Sequence, residues 1–149
     1  MLKKLLSTTS DLTLTLLRLV LGIIFFAHGA QLLLGWFGGF GYDASMHAFT
    51  QQLHIPTALA FAAIMAQFLG GLFLIFGILG RLAALGIAID MLVAVLLVHV
   101  PNGLFMNWYG TQKGEGFEFH ILAIAIAIVL MMHGSGAASV DLDVSRRIA

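Results

Sequence analysis

The amino-acid sequence predicts an all-α protein, an integral membrane four-helix bundle with both termini in the cytoplasm. The 149 residues are 60% hydrophobic and 9% charged, with a mean hydropathy of +1.03. A soluble domain of this length cannot bury so much apolar surface. Four apolar segments also approach the roughly 20 residues that a helix needs to cross a bilayer. Together these observations place the chain among membrane proteins.

The four predicted helices are joined by connections of unequal length. The helices cover residues 12–34, 57–79, 82–100 and 117–132. The second and third meet at a corner of Gly80 and Arg81, so they run antiparallel. The other connections, 35–56 and 101–116, are long and rich in glycine and aromatic residues, and the antiparallel order places both on the same side. We expect one membrane domain over residues 1–149.

The first helix is predicted from an apolar run that Arg18, His28 and Gln31 interrupt. Each of these polar groups needs a protein partner, because lipid offers none. No small-residue cleavage site precedes the GWFGG turn that follows, so we expect a retained anchor rather than a signal peptide.

The second and third helices are predicted to pack through small residues. On the second helix these recur at every fourth position, at Ala58, Ala62, Ala66 and Gly70. Such a stripe lets helix backbones approach closely within a membrane. On the third helix Gly86 and Ala94 flank Asp90 at the same spacing, so we expect Asp90 to face protein rather than lipid.

The fourth segment is predicted to be helical although its isoleucines and alanines alternate between Ile121 and Ile128, as in a strand. An isolated strand would leave its backbone groups unpaired in lipid, which excludes it here.

Basic residues predict the orientation. The side with the two termini holds Lys3, Lys4, Arg81, Arg146 and Arg147, whereas the opposite side holds Lys113. The positive-inside rule then places both termini in the cytoplasm and both long connections outside. The expected location is the inner (plasma) membrane of the cell, crossed several times.

Charge and cysteine content exclude several classes of function. The formal net charge is zero, and the chain has no basic patch of the kind that nucleic-acid binding requires. It also has no cysteine, which excludes thiol redox catalysis and thiolate metal sites within this chain. Redox chemistry would therefore need a bound cofactor or a partner protein.

Two polar layers are predicted inside the bundle. On the cytoplasmic side, Arg18 and Asp90 lie at similar depths on their helices, and we expect them to form a buried ion pair because an unpaired charge is costly in lipid. A structural clamp is the favoured role for this pair over a role in transport.

The second layer lies toward the outer side and contains the candidates for ligand binding or proton exchange, His28, Gln31, Gln67, His99, Glu118 and His120. Such groups suit proton exchange, a quinone head group or a metal, although none of their spacings is a metal motif. Alternatively, His99 and His120 each bind water or backbone at the interface. Asp90 and His99 are nine residues apart, on opposite faces of an ideal helix, which favours two separate layers over one channel.

The outer loops carry aromatic residues that are candidates for a lid over the outer layer, Trp36, Phe37, Phe40 and Trp108. The alternative is an aromatic belt at the membrane interface. His47 and His54, in the first outer loop, are expected to be surface residues.

The chain resembles the DoxX family from Leu14 to about Asp143. The resemblance rests on motifs in order: LLRLVLGIIFFAHGAQ, GWFGGFG, FLGGLFLIFGILGRLAALGIAIDMLVA, HVPNG and GFEFHILAIAIA. It implies a four-helix membrane protein, and some members are linked to thiosulfate:quinone oxidoreductase or to oxidative-stress defence. Two positions depart from the family pattern, because relatives often have a lysine at Leu32 and an acidic residue near Gln67.

Two functions follow as hypotheses. The first is a membrane subunit that binds a quinone or another small apolar ligand in its outer half and supports an oxidoreductase partner, with no intrinsic catalysis assigned. A haem held by His28 and His99 is a weaker alternative to the quinone. The second is a non-enzymatic scaffold or a small-solute transporter. In either case the expected partners are the lipid bilayer and a partner protein or further copies of the chain.

Overall fold

The computed structural model describes residues 2–148. Helices make up 75% of the structure, and no strand occurs in the described range, so the all-helical prediction is confirmed. The α-helices of this range are α1 (Leu2–Leu6), α2 (Leu12–Leu34), α3 (Gly41–His47), α4 (Thr57–Phe76), α5 (Gly80–Ala94), α6 (Glu118–His133) and α7 (Val140–Arg147). Helices α2, α4, α5 and α6 correspond to the four predicted segments.

Three helical stretches are long and apolar enough to cross a membrane, at Leu12–Leu34, Thr57–Phe76 and Gly80–Asn102. The third continues α5 through a π-helical turn, Val95–His99, and a 3-10 turn, Val100–Asn102. Helix α6 is apolar but shorter.

Helices α2 and α4 are held together by glycines. A Cβ atom on Gly22 of α2 would lie 2.9 Å from the backbone nitrogen of Ile75, and one on Gly71 of α4 would lie 2.9 Å from the carbonyl oxygen of Gly22. Any side chain at either position would force the two backbones apart. The predicted close approach therefore occurs, but Gly71 provides it on the α4 side rather than the alanines nearer the start of α4, while Gly70 faces Ile87 of α5.

Helices α2, α5 and α6 share an apolar core with the second half of α4. Its fully enclosed side chains include Phe25, Leu74, Ile87 and Leu130, which come from the four helices in turn. We name the two ends of the bundle by the segments that they contain. The terminal end contains α1, α7 and the α4–α5 corner, and the loop end contains the connections 35–56 and 103–117.

At the terminal end, Arg18 binds helix carbonyl groups rather than a carboxylate of the third helix. Its guanidinium donates to the carbonyl oxygens of Leu74 and Ile75 at 2.6 Å, and to that of Ala138 at 3.1 Å. The predicted Arg18–Asp90 ion pair is wrong. The acidic residue whose charge acts on Arg18 is Asp141, outside the four predicted helices. Arg18 thus neutralises the carbonyl-rich end of α4, where a positive charge is favourable.

Asp141 performs the opposite task for α5. Its carboxylate accepts hydrogen bonds from the backbone nitrogens of Leu79 and Gly80, both at 2.8 Å, and from the hydroxyl of Ser135 at 2.6 Å. The first backbone N–H groups of a helix have no partner within it, so a carboxylate here acts as a remote N-cap. Asp141 is only 2% exposed.

Arg81 connects three elements at the same end. It donates to the carbonyl oxygens of Met131 and Met132 in α6 and to that of Ser7, which follows α1. Arg18, Arg81 and Asp141 together form what we call the capping cluster. The cluster binds backbone groups at the helix ends of the terminal half. This supports a structural role for these charged residues.

Candidate functional site

A large cavity occupies the loop-end half of the bundle. Its volume is 1060 Å³, and its walls come from α2, α4, α5, the start of α6 and the first long connection. Most of the wall is apolar, with small residues opposite one another on α4 and α5. These small residues are Ala62, Ala63, Ala66, Gly86 and Ala94. The small-residue stripe that the sequence predicts to bring helices together therefore leaves space at this end. We call this space the loop-end cavity.

The cavity brings together most of the polar residues that the sequence singles out. His28, Gln31, Gln67, His99 and His120 line it, as predicted for one site, and Asp90 lines it too. The expected separation of Asp90 from the histidines is therefore wrong: one cavity contacts both groups.

The π-helical turn at Val95–His99 explains this difference. Its hydrogen bond runs from Val100 back to Val95, which adds a residue to the turn of helix. Each residue then rotates less about the axis than in an α-helix, so His99 does not reach the face opposite Asp90. The ideal-helix geometry used in the sequence prediction does not hold beyond Ala94.

At the deep end of the cavity, Asp90 pairs with an amide. The Gln67 side-chain nitrogen donates to a carboxylate oxygen of Asp90 at 2.8 Å, between α4 and α5. One carboxylate oxygen thus has a partner in the protein, and both residues also face the cavity. The pair supplies a polar group within an otherwise apolar wall.

At the shallow end, two histidines lie ring against ring. The ring centroids of His99 and His120 are 4.0 Å apart. Nδ1 of His99 lies 2.8 Å from the carbonyl oxygen of Glu115, while Nδ1 of His120 is enclosed without a hydrogen-bond partner. Phe119 stands edge-on to His120, with ring centroids 5.6 Å apart. Aromatic walls therefore border the histidine pair.

His28 and Gln31 border the same region from α2. The His28 ring lies 6.2 Å from that of Phe119, between centroids, and the Gln31 amide donates to the carbonyl oxygen of Phe37 at 3.2 Å. Gln31 thereby ties the GWFGG turn to the cavity wall through the backbone.

Glu118 does not line the cavity. Its carboxylate accepts hydrogen bonds from the backbone nitrogen of Met106 at 2.9 Å and from the indole of Trp108 at 3.2 Å. Met106 itself contacts the cavity. Glu118 therefore positions the second long connection rather than meeting a ligand, which differs from its predicted role.

The predicted aromatic lid is not formed by its four candidates. Trp36, Phe37, Phe40 and Trp108 are all exposed, and none of them lines the cavity of the described chain. Their exposure fits the alternative, an aromatic belt. The residues of the first long connection that line the cavity are instead Phe49, Leu53, His54, Ile55 and Pro56.

The sequence prediction overlooks three contributors to the site. His54 is exposed, as expected of a surface residue, but it also lines the cavity, and Phe119 and the backbone of Glu115 contact the histidine pair. Phe119 is the residue between Glu118 and His120, which are both predicted candidates. Its place beside them in the sequence is the signal by which it could have been predicted. No such signal exists for Glu115, because its role depends on a loop carbonyl.

Within residues 2–148, no group of three or more histidine, aspartate or glutamate side chains is arranged to hold a metal ion. What the arrangement offers chemically is a large apolar space with hydrogen-bonding groups at two depths. This is the composition of a site for an apolar ligand with a polar head.

Comparison with known proteins identifies the family. A model of the DoxX family matches residues 13–100, which make up more than half of the chain. No curated protein and no solved structure matches it. The matched range covers nearly all of the three long apolar helices, with the α2, α4 and α5 walls of the cavity, and on this basis the chain belongs to the DoxX family of membrane proteins.

Proposed function

We propose that this protein binds a quinone, or a similar apolar ligand with a polar ring, in the loop-end cavity, as the membrane subunit of an oxidoreductase system. The observation that carries the proposal is the cavity itself. A volume of 1060 Å³ accommodates a ring with part of its tail, and its largely apolar wall holds a few convergent polar groups.

The cavity also meets the outer surface of the bundle. Leu59, Ile89 and Leu97 line it, yet they are 60%, 54% and 50% exposed. These residues belong to α4 and to the stretch that continues α5, so the opening lies between those helices. In a bilayer this surface faces lipid, and an apolar ligand reaches the cavity from there without passing through water.

The proposed membrane placement has four spans, with α6 as the fourth. Helix α6 packs on α5 and contributes Ala123, Ala127 and Leu130 to the shared core. The basic residues of α1, α7 and the α4–α5 corner share the terminal end, which supports an orientation with both termini in the cytoplasm of the inner membrane.

The first experiment asks what the cavity contains. The protein is purified in a mild detergent, extracted with organic solvent, and analysed by mass spectrometry for quinones at a molar ratio to protein. We expect a quinone near one per chain. Bulk lipid alone would favour the scaffold alternative, and solute flux in proteoliposomes would favour a transporter.

A matched pair of variants locates the ligand. Ala66→Leu fills the cavity between α4 and α5, where the Cβ of Ala66 lies 3.7 Å from a Cβ built on Gly86. Ala125→Leu makes the same change on an exposed face of α6. We expect the quinone content to fall at least fivefold in Ala66→Leu and to stay unchanged in Ala125→Leu. Equal content in the two variants would place the ligand elsewhere.

The oxidoreductase role requires a second chain or an added cofactor, since this chain has no cysteine. Cross-linking in native membranes, followed by mass spectrometry, identifies the partner, and quinone reduction is then measured with and without this chain. A Soret absorbance band in the purified protein would instead support the haem alternative at His28 and His99.

A further inference from the structure

The hydrogen bond that His99 makes fixes the position of its proton. Nδ1 lies 2.8 Å from the carbonyl oxygen of Glu115, and a carbonyl oxygen only accepts hydrogen bonds. Nδ1 of the neutral ring therefore carries the hydrogen. Nε2 is left as an acceptor, and no residue in the described range 2–148 donates to it.

His120 has the opposite arrangement. Its Nδ1 is enclosed and has no partner among the described residues, whereas its Nε2 is not enclosed in this way. A buried N–H group without an acceptor is costly, so the hydrogen of the neutral ring is favoured on Nε2. The two rings, whose centroids are 4.0 Å apart, thus offer one acceptor and one donor between them.

We propose that the His99–His120 pair selects ligands that present a hydroxyl group, such as a phenol or a hydroquinone, over ligands that present only a carbonyl or ether oxygen. The inference rests on the proposed function, because it names the chemistry of a ligand in the same cavity. A hydroxyl donates to Nε2 of His99 and accepts from Nε2 of His120. A carbonyl accepts from His120 but leaves the His99 acceptor without a donor.

The surroundings of the pair suit an aromatic head group. The ring of Phe119 is near those of Phe25 and His28, with centroid distances of 6.3 and 6.2 Å, and it is edge-on to His120. Rings at such distances pack favourably against another ring. The selected class is therefore a hydroxylated aromatic ring with an apolar tail. For a quinone, it is the reduced form.

Two probes that differ in one hydrogen-bond donor test the proposal. These are 4-nonylphenol and its methyl ether, and their dissociation constants are measured in detergent with partition into empty micelles subtracted. We expect the wild-type protein to bind the phenol about tenfold more tightly, as one additional hydrogen bond allows. His99→Phe keeps the ring but removes the acceptor, and it should bind both probes equally.

His133→Phe, at the other end of α6, is the matched control and should keep the wild-type preference. If the wild-type protein binds both probes equally, the selection is refuted while the proposed cavity function stands. If neither probe binds, the proposed function fails as well. A preference that survives in His99→Phe refutes the assignment to His99. The wild-type comparison needs no variant, so it is decisive even if His99→Phe does not fold.

Discussion

Asp141 offers the sharpest test of the capping cluster, and the perturbation is its replacement by alanine. The change removes the acceptor for the backbone nitrogens of Leu79 and Gly80 and for the hydroxyl of Ser135. Each buried donor left without a partner costs about 1–3 kcal/mol. Two backbone donors and one hydroxyl, partly relieved by water entering at the helix end, give a loss of about 4 kcal/mol.

The assay is thermal unfolding in a mild detergent, followed by circular dichroism. A loss of this size corresponds to a fall of roughly 10 °C in the unfolding midpoint for a chain of this length. Asp141→Asn keeps one acceptor oxygen and should lose about half as much. Asp143→Ala, an exposed carboxylate on the same helix, is the matched control and should shift the midpoint little. Equal shifts for Asp141→Ala and Asp143→Ala would refute the remote N-cap.

Three further predictions concern other parts of the bundle. Arg18→Leu removes the guanidinium donor from the carbonyl oxygens of Ile75 and of Leu74, the latter keeping its bond from the backbone nitrogen of Gly77, and should cost about 3 kcal/mol in unfolding free energy, with partial recovery in Arg18→Lys; equal losses in both would refute the guanidinium's role. Gly22→Leu should separate α2 from α4 and abolish a folded, monodisperse peak in size-exclusion chromatography, whereas a normal peak would contradict the close contact. Glu118→Gln should weaken the hold on the second long connection, so that hydrogen exchange at Met106 rises several-fold and Trp108 emission changes; unchanged exchange would count against it.

The sequence is sufficient to predict the helices but not the ends of the bundle. Apolar runs and small-residue spacing report directly on spans, and α2 falls at the predicted residues. The partner of Arg18 is not predictable in this way, because backbone carbonyls at a helix end leave no residue pattern. The depth of Arg18 along its helix predicts Asp90 as its partner. In the structure Arg18 instead binds a carbonyl oxygen at the end of α4, and the carboxylate whose charge acts on it is Asp141.

The candidate site shows the same division. Five of its predicted residues line one cavity because polar groups within an apolar helix must face protein. The arrangement of the site depends on the π-helical turn Val95–His99. The sequence of that turn, VLLVH, contains no residue pattern that predicts a π-helix. Glu118 has a different role from the one predicted because the fold of the second connection, and thus the position of Met106, depends on long-range contacts.

The remote cap on α5 has a consequence for how the protein is made. Asp141 follows Gly80 by 61 positions, so the α4–α5 hairpin leaves the ribosome long before its cap is synthesised. During that interval the first N–H groups of α5 must be satisfied by water or by the insertion machinery. The hairpin therefore lacks its cap in the membrane until Asp141 has been synthesised and has folded back onto it. A nascent chain that stalls before Asp141 leaves the backbone N–H groups of Leu79 and Gly80 without their carboxylate acceptor.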